Sequence, residues 1–292
     1  LFSSPLPYLY CLLFGALISP TDPIAVLATF KKLDAPKKLN VIIAGESLFN
    51  DGVGIVVFIT LYHLTLLQEP ITWQHVCFLF LSQAIGGIAY GGAIGYAGHR
   101  LIQNSPPRIA LLMTFAMTTG GYYFAQLVGI SGPLAMVVAG IFIGNKARKG
   151  SKEDKTNNVL ADTWELVDET LNAILFMLLG LELLSIHGTK MDVVTGVLSI
   201  PIALIVRYIT VAIPTAAVFK TRQRPARLNL ILTWGGLRGG LAVALALSLP
   251  NSHYRNLILT MTFAIVAFAV IVQGTTVKSL LPDGKRACKK NA

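Results

Sequence analysis

Residues 39–59 place two carboxylates where a lipid bilayer should be. They read Leu39-Asn40-Val41-Ile42-Ile43-Ala44-Gly45, then Glu46-Ser47-Leu48-Phe49-Asn50-Asp51, then Gly52-Val53-Gly54-Ile55-Val56-Val57-Phe58-Ile59. A run of about 20 mostly apolar residues is long enough to cross the hydrocarbon core as a helix. One charge near the centre of such a helix costs roughly 3 kcal/mol by insertion scales. A structural ion pair accounts for one such charge. Two charges with Ser47 and Asn50 between them favour a group that binds or moves something.

The rest of the chain is built for the same surroundings. It is 54% hydrophobic and 13% charged, with a mean hydropathy of +0.65. Soluble domains rarely reach such values, so the chain reads as an all-α polytopic membrane protein. Hydropathy predicts about nine spans, near residues 6–30, 40–62, 75–99, 108–128, 132–145, 163–185, 192–219, 228–249 and 255–277. Residues 1–282 are expected to form one transmembrane domain and 283–292 a short basic cytoplasmic tail. The chain opens almost directly into an apolar run, without an initiator Met or a signal-peptide pattern. The expectation is a fragment that lacks an N-terminal part.

The net charge of +10 follows from topology. With the first span running from outside to inside, 20 of the 24 Lys and Arg fall in cytoplasmic segments. Lys190 and Arg255 lie outside, and Arg207 and Arg238 lie within spans. This is the positive-inside distribution. No basic motif is interleaved with aromatics, so nucleic acid is not an expected partner; membrane lipid is. Cys11, Cys77 and Cys288 show no metal or redox spacing. His63, His75, His99, His187 and His253 all fall near span ends and read as interfacial.

Three further features carry chemistry. On a helix Glu46 and Asn50 share one face, and Ser47 and Asp51 the adjacent strip, so all four can line one cavity. Oxygen ligands of this kind suit hard cations, and a carboxylate drawn partly out of water also competes for protons. Competition at one carboxylate is sufficient chemistry for cation/proton exchange.

The first span contains Ser19-Pro20-Thr21-Asp22-Pro23 near its midpoint, and its two prolines break the helix. The eighth contains Trp234-Gly235-Gly236-Leu237-Arg238-Gly239-Gly240, a second predicted interruption. Two broken helices of opposite direction, in separate halves of the chain, fit the inverted-repeat transporter pattern. Asp22 is expected to offset positive half-helix ends and Arg238 negative ones. Arg207 lies too deep in the seventh span to snorkel and needs an anionic partner, either Glu46 or Asp51.

These residues resemble a known family. Ser-Pro-Thr-Asp-Pro, a basic loop and Gly-Glu-Ser-Leu-Phe-Asn-Asp-Gly are similar to the first family of monovalent cation:proton antiporters, the NhaP-like and NHE-like group. The stretches Gly129 to Ala135, Trp164 to Leu183 and Gly236-Leu237-Arg238-Gly239 agree with it, in order and over almost the whole chain. The resemblance implies a thirteen-helix antiporter fold of which this chain supplies the last nine. It implies that Asp51 is the cation and proton site, that Thr21 and Ser47 assist in coordinating Na+, that Asn50 is the neutral partner of Asp51, and that Glu46 pairs with Arg207. It also implies an electroneutral, homodimeric exchanger with elevator-like alternating access, in the plasma (inner) membrane. No cofactor is expected beyond the transported ions. Na+ is the leading substrate, with K+ or Li+ as alternatives.

Two other classes compete. Gly129-Ile130-Ser131-Gly132 superficially fits a serine-protease pattern, but no His lies inside a span to act as base, so an enzyme is not expected. A cation channel remains the other alternative. Other glycines read as packing: Gly87, Gly91, Gly95 and their neighbours have small-xxx-small spacing.

Overall fold

The computed structural model describes residues 7–32, 37–66, 72–103, 105–147, 154–185, 190–218 and 228–280. The described residues are almost entirely helical. In chain order the helices are α1 (Tyr8–Ile18), α2 (Ile24–Lys32), α3 (Lys37–Leu66), α4 (Trp73–Ile102), α5 (Pro107–Val128) and α6 (Gly132–Ala147). They continue with α7 (Asp154–Ser185), α8 (Lys190–Val218), α9 (Leu228–Gly235), α10 (Gly240–Leu247), α11 (His253–Phe268) and α12 (Gly274–Leu280). A wider π-helical turn, Ala269–Gln273, joins the last two. Among the described residues four stretches are long and apolar enough to cross a membrane: Leu39–Leu66, Trp73–Ile102, Met191–Ala217 and Tyr254–Leu280.

The first and eighth predicted spans are each two short helices with an extended break, residues 19–23 between α1 and α2 and residues 236–239 between α9 and α10. The sixth begins at Asp154, about nine residues before the hydropathic run at 163. Its polar first turns (Asp154-Lys155-Thr156-Asn157-Asn158) continue the helix beyond the apolar run, which hydropathy alone does not detect.

The chain divides into two compact units, residues 1–51 with 178–292, and residues 52–177. In the second unit, α4 packs along α6 through its glycines. A methyl group at Gly95 would lie 2.9 Å from the Ala139 Cα and 3.1 Å from its carbonyl oxygen, so only glycine allows this approach. Gly129 ends α5 with φ 76°, the left-handed conformation that glycine adopts without cost. The Ile130 N–H then returns to the Ala125 carbonyl at 3.0 Å. The Ser131 hydroxyl accepts the Leu134 N–H at 3.3 Å, so the Gly-Ile-Ser-Gly stretch is a helix stop followed by an N-cap. Trp164 donates to Thr114 at 3.1 Å and its ring lies 4.7 Å from that of Phe115.

In the first unit α8 packs along α11, with Gly196 against Thr260 and Ala264. A buried apolar cluster made by Val26, Phe30, Ile43, Leu228, Ile231 and Leu237, with others, ties α2, α3 and α9 together. Ser252 caps α11 by accepting the Arg255 N–H at 3.1 Å. This frame holds both helix breaks against each other.

Candidate functional site

The two breaks meet in one short antiparallel bridge. The Asp22 N–H donates to the Leu237 carbonyl at 2.7 Å. Proline at 20 and 23 and glycine at 235, 236, 239 and 240 deny both segments a continuous helix, and the bridge satisfies part of the backbone so released. The glycines also make room. A methyl group at Gly239 would sit 2.8 Å from the Asp22 Oδ2, and one at Gly236 would sit 2.5 Å from the Arg207 Nη2 and 2.6 Å from its Nε. Glycine at both positions is therefore what lets charged side chains lie directly on the backbone of the break.

Charges at the breaks meet helix ends of opposite sign. The Asp22 Oδ1 accepts the N–H of Ile24, the first residue of α2, at 3.0 Å. The Arg238 Nη1 donates to the carbonyls of Ser19 and Pro20 beyond the end of α1, the second at 3.1 Å. Half-helix ends carry partial charges of about half a unit, positive at the N-terminus and negative at the C-terminus.

Glu46 and Arg207 form a forked pair, with Nη1 on Oε1 and Nη2 on Oε2, both at 2.7 Å. Nη2 also donates to the Leu232 carbonyl at 3.3 Å. Arg207 is 7% exposed. It takes Glu46, of the two carboxylates open to it from sequence, and leaves Asp51 without an ion-pair partner among the described residues.

Asp51 faces the first break. Its Oδ1 accepts the Thr21 N–H at 2.9 Å. The Thr21 and Ser47 hydroxyls are 3.0 Å apart, and both residues are 2% exposed. Thr21 thus joins the Asp51 carboxylate through its backbone and the Ser47 hydroxyl through its side chain, and oxygen donors of this kind suit a hard cation.

Asn50 is engaged otherwise. Its Nδ2 donates to the Ser19 carbonyl at 2.7 Å and its Oδ1 accepts the Ser19 hydroxyl at 3.0 Å. Both ends of the amide are spent on Ser19, so Asn50 fixes the first break to α3. The sequence assigns no role to Ser19, because this contact depends on the shape of a non-helical segment. Among the described residues no group of three or more His, Cys, Asp or Glu is placed to hold a metal ion.

A polytopic helical membrane protein with two broken helices meeting beside a half-buried carboxylate is the architecture of inverted-repeat secondary transporters. The chain belongs to the family described as "Sodium/hydrogen exchanger, transmembrane", whose profile matches residues 1–282. It is 42% identical to the Na(+)/H(+) antiporter NhaP of Pseudomonas aeruginosa over 287 residues, covering 96% of this chain and 68% of that protein. It is 38% identical to the Na(+)/H(+) antiporter NhaH of Halobacillus dabanensis, covering 94% of this chain and 69% of that one. Its fold is similar to that of the sodium proton antiporter MjNhaP1 of Methanocaldococcus jannaschii, with a TM-score of 0.74 at 17% identity, over 94% of this chain and 72% of that chain.

Proposed function

We propose that this chain carries the ion-exchanging core of an electroneutral Na+/H+ antiporter, with Asp51 as the carboxylate at which cation and proton exclude each other. The observation that carries the reading is the contrast between the two carboxylates of α3. Glu46 is locked to Arg207, while Asp51, among the described residues, accepts only the backbone N–H of Thr21, whose hydroxyl meets that of Ser47. In the bound state Na+ sits on Asp51 with the oxygens of Thr21 and Ser47 beside it. In the proton-loaded state the Asp51 carboxyl is neutral and the cation has left.

Charge counting follows from the same contacts. With Glu46 held by Arg207, one site takes either one proton or one monovalent cation, and a full cycle moves no net charge. The crossing supports alternating access, because a site at the meeting of two broken helices can be opened to either side by moving the bundle around it. The names of the relatives favour Na+ over K+. The protein acts as a transporter and not an enzyme, works in the plasma membrane and pairs as a homodimer.

The test is proton release by the full-length protein in liposomes when each cation is added in turn. Na+ should alkalinise or acidify the lumen according to the gradient, with K+ much weaker. Cation flux without proton counterflow would make the protein a channel and end this reading.

A further inference from the structure

A small pocket lies behind the second break, lined by Arg207, Thr233, Arg238 and Gln273, with Ile265 and Phe268 among its apolar walls. Asp51, Ser47 and Thr21 do not line it. It has room for about one small group and none for an organic ligand. We propose that it binds a small monovalent inorganic anion, of the size and charge of chloride.

Unspent donors are the first reason. The Arg207 guanidinium gives Nη1 and Nη2 to Glu46, but its Nε–H has no partner among the described residues, and neither does the Thr233 hydroxyl. Both residues are more than nine-tenths buried, at 7% and 6% exposed. Buried polar groups left unpaired are uncommon, and each calls for an explanation. A ligand here must accept hydrogen bonds.

Charge is the second reason. Arg207 is balanced by Glu46. Arg238 makes no ion pair among the described residues, and its hydrogen bonds go to the neutral carbonyls of Ser19 and Pro20. The Asp51 and Glu46 carboxylates act on Arg238 from outside the pocket. Among the described residues no carboxylate lines the pocket. A small anion would meet these donors and sit beside both guanidinium groups.

The backbone is the third reason. The π-helical turn Ala269–Gln273 ends at the pocket, and such turns in α-helices often mark functional positions. Gln273 is 3% exposed, and its amide reaches the Trp234 carbonyl only at 3.5 Å. A small rotation turns that donor toward the pocket.

The experiment is equilibrium binding of radiochloride to the purified full-length protein in detergent, with bromide located by anomalous diffraction in its crystals. Neither readout depends on transport, so the proposal can fail while the antiport reading stands, and the reverse. Binding should be saturable and bromide should lie between Arg207 and Thr233. Thr233→Val should weaken chloride at least roughly tenfold, the effect of losing one hydrogen bond to a charged group. Thr260→Val, on an exposed hydroxyl that bonds the Asn256 carbonyl, should change nothing. Absence of saturable chloride binding, a water in place of bromide, or unaltered binding in Thr233→Val would each overturn the proposal.

Discussion

Arg207 grips both carboxylate oxygens of Glu46 at 2.7 Å although the two residues are 161 positions apart. Arg207 is buried and Glu46 is 31% exposed, so removing one partner should cost less than the roughly 3–5 kcal/mol of a fully buried pair but still leave the other charge uncompensated. Glu46→Gln should therefore lower the yield of folded protein as well as exchange. Arg207→Lys should fail to restore either, since an ammonium cannot reproduce the two-point fork. Yield after detergent extraction, measured by size-exclusion chromatography, checks both. Wild-type yield from Glu46→Gln would show the pair to be dispensable.

Gly236 is the backbone seat of the same guanidinium. A Cβ there meets the Arg207 Nη2, Nε and Cζ within 2.5–2.8 Å, so Gly236→Ala must displace Arg207 from Glu46. It should reproduce most of the Glu46→Gln loss in thermal stability. Gly92→Ala is the control: among the described residues nothing lies within 4 Å of its added methyl, and a mid-helix alanine should be neutral or stabilising by about 0.5–1 kcal/mol.

Asn50 predicts its own substitution. Its Nδ2 donates to the Ser19 carbonyl, and a carboxyl at that position keeps the contact only as the neutral acid. Asn50→Asp should thus hold its extra proton through the cycle, and exchange should remain insensitive to voltage. Currents appearing in liposomes of this variant would show that residue 50 titrates.

Topology follows from the distribution of Lys and Arg. The segments 31–38 and 145–158 should face the cytoplasm and 65–74 the outside. Cysteines placed in each and labelled from outside with an impermeant maleimide should react only in 65–74. Labelling within 145–158 would reverse the assignment.

Much of this site is legible in the sequence, for one physical reason. A charge inside an apolar run is expensive, so Glu46, Asp51, Asp22, Arg207 and Arg238 announce themselves against their surroundings. Pro20, Pro23 and the four glycines around Arg238 announce the breaks equally well. Contacts made by ordinary residues stay hidden. Ser19 looks like any serine until the break turns its hydroxyl and carbonyl toward Asn50. Thr233 and Gln273 sit in apolar stretches with no distinguishing pattern, and the π-helical turn that brings Gln273 to its place has no composition signal. The Gly236 requirement is visible as a glycine but not as a seat for Arg207, which lies in a different helix. Polar helical turns are hidden too: the start of α7 at Asp154 escapes a reading based on hydropathy.

The central claim is that Asp51 alone exchanges proton for cation. It is tested most directly by Na+-driven proton movement through the full-length protein in liposomes at several clamped voltages, wild type beside Asp51→Asn. The substituted side chain stays neutral throughout the cycle, while its amide oxygen can still accept the Thr21 N–H. The wild-type rate should be nearly flat with voltage, and Asp51→Asn should fold normally and exchange nothing. A steep voltage dependence in the wild type, or normal exchange in Asp51→Asn, would contradict the account.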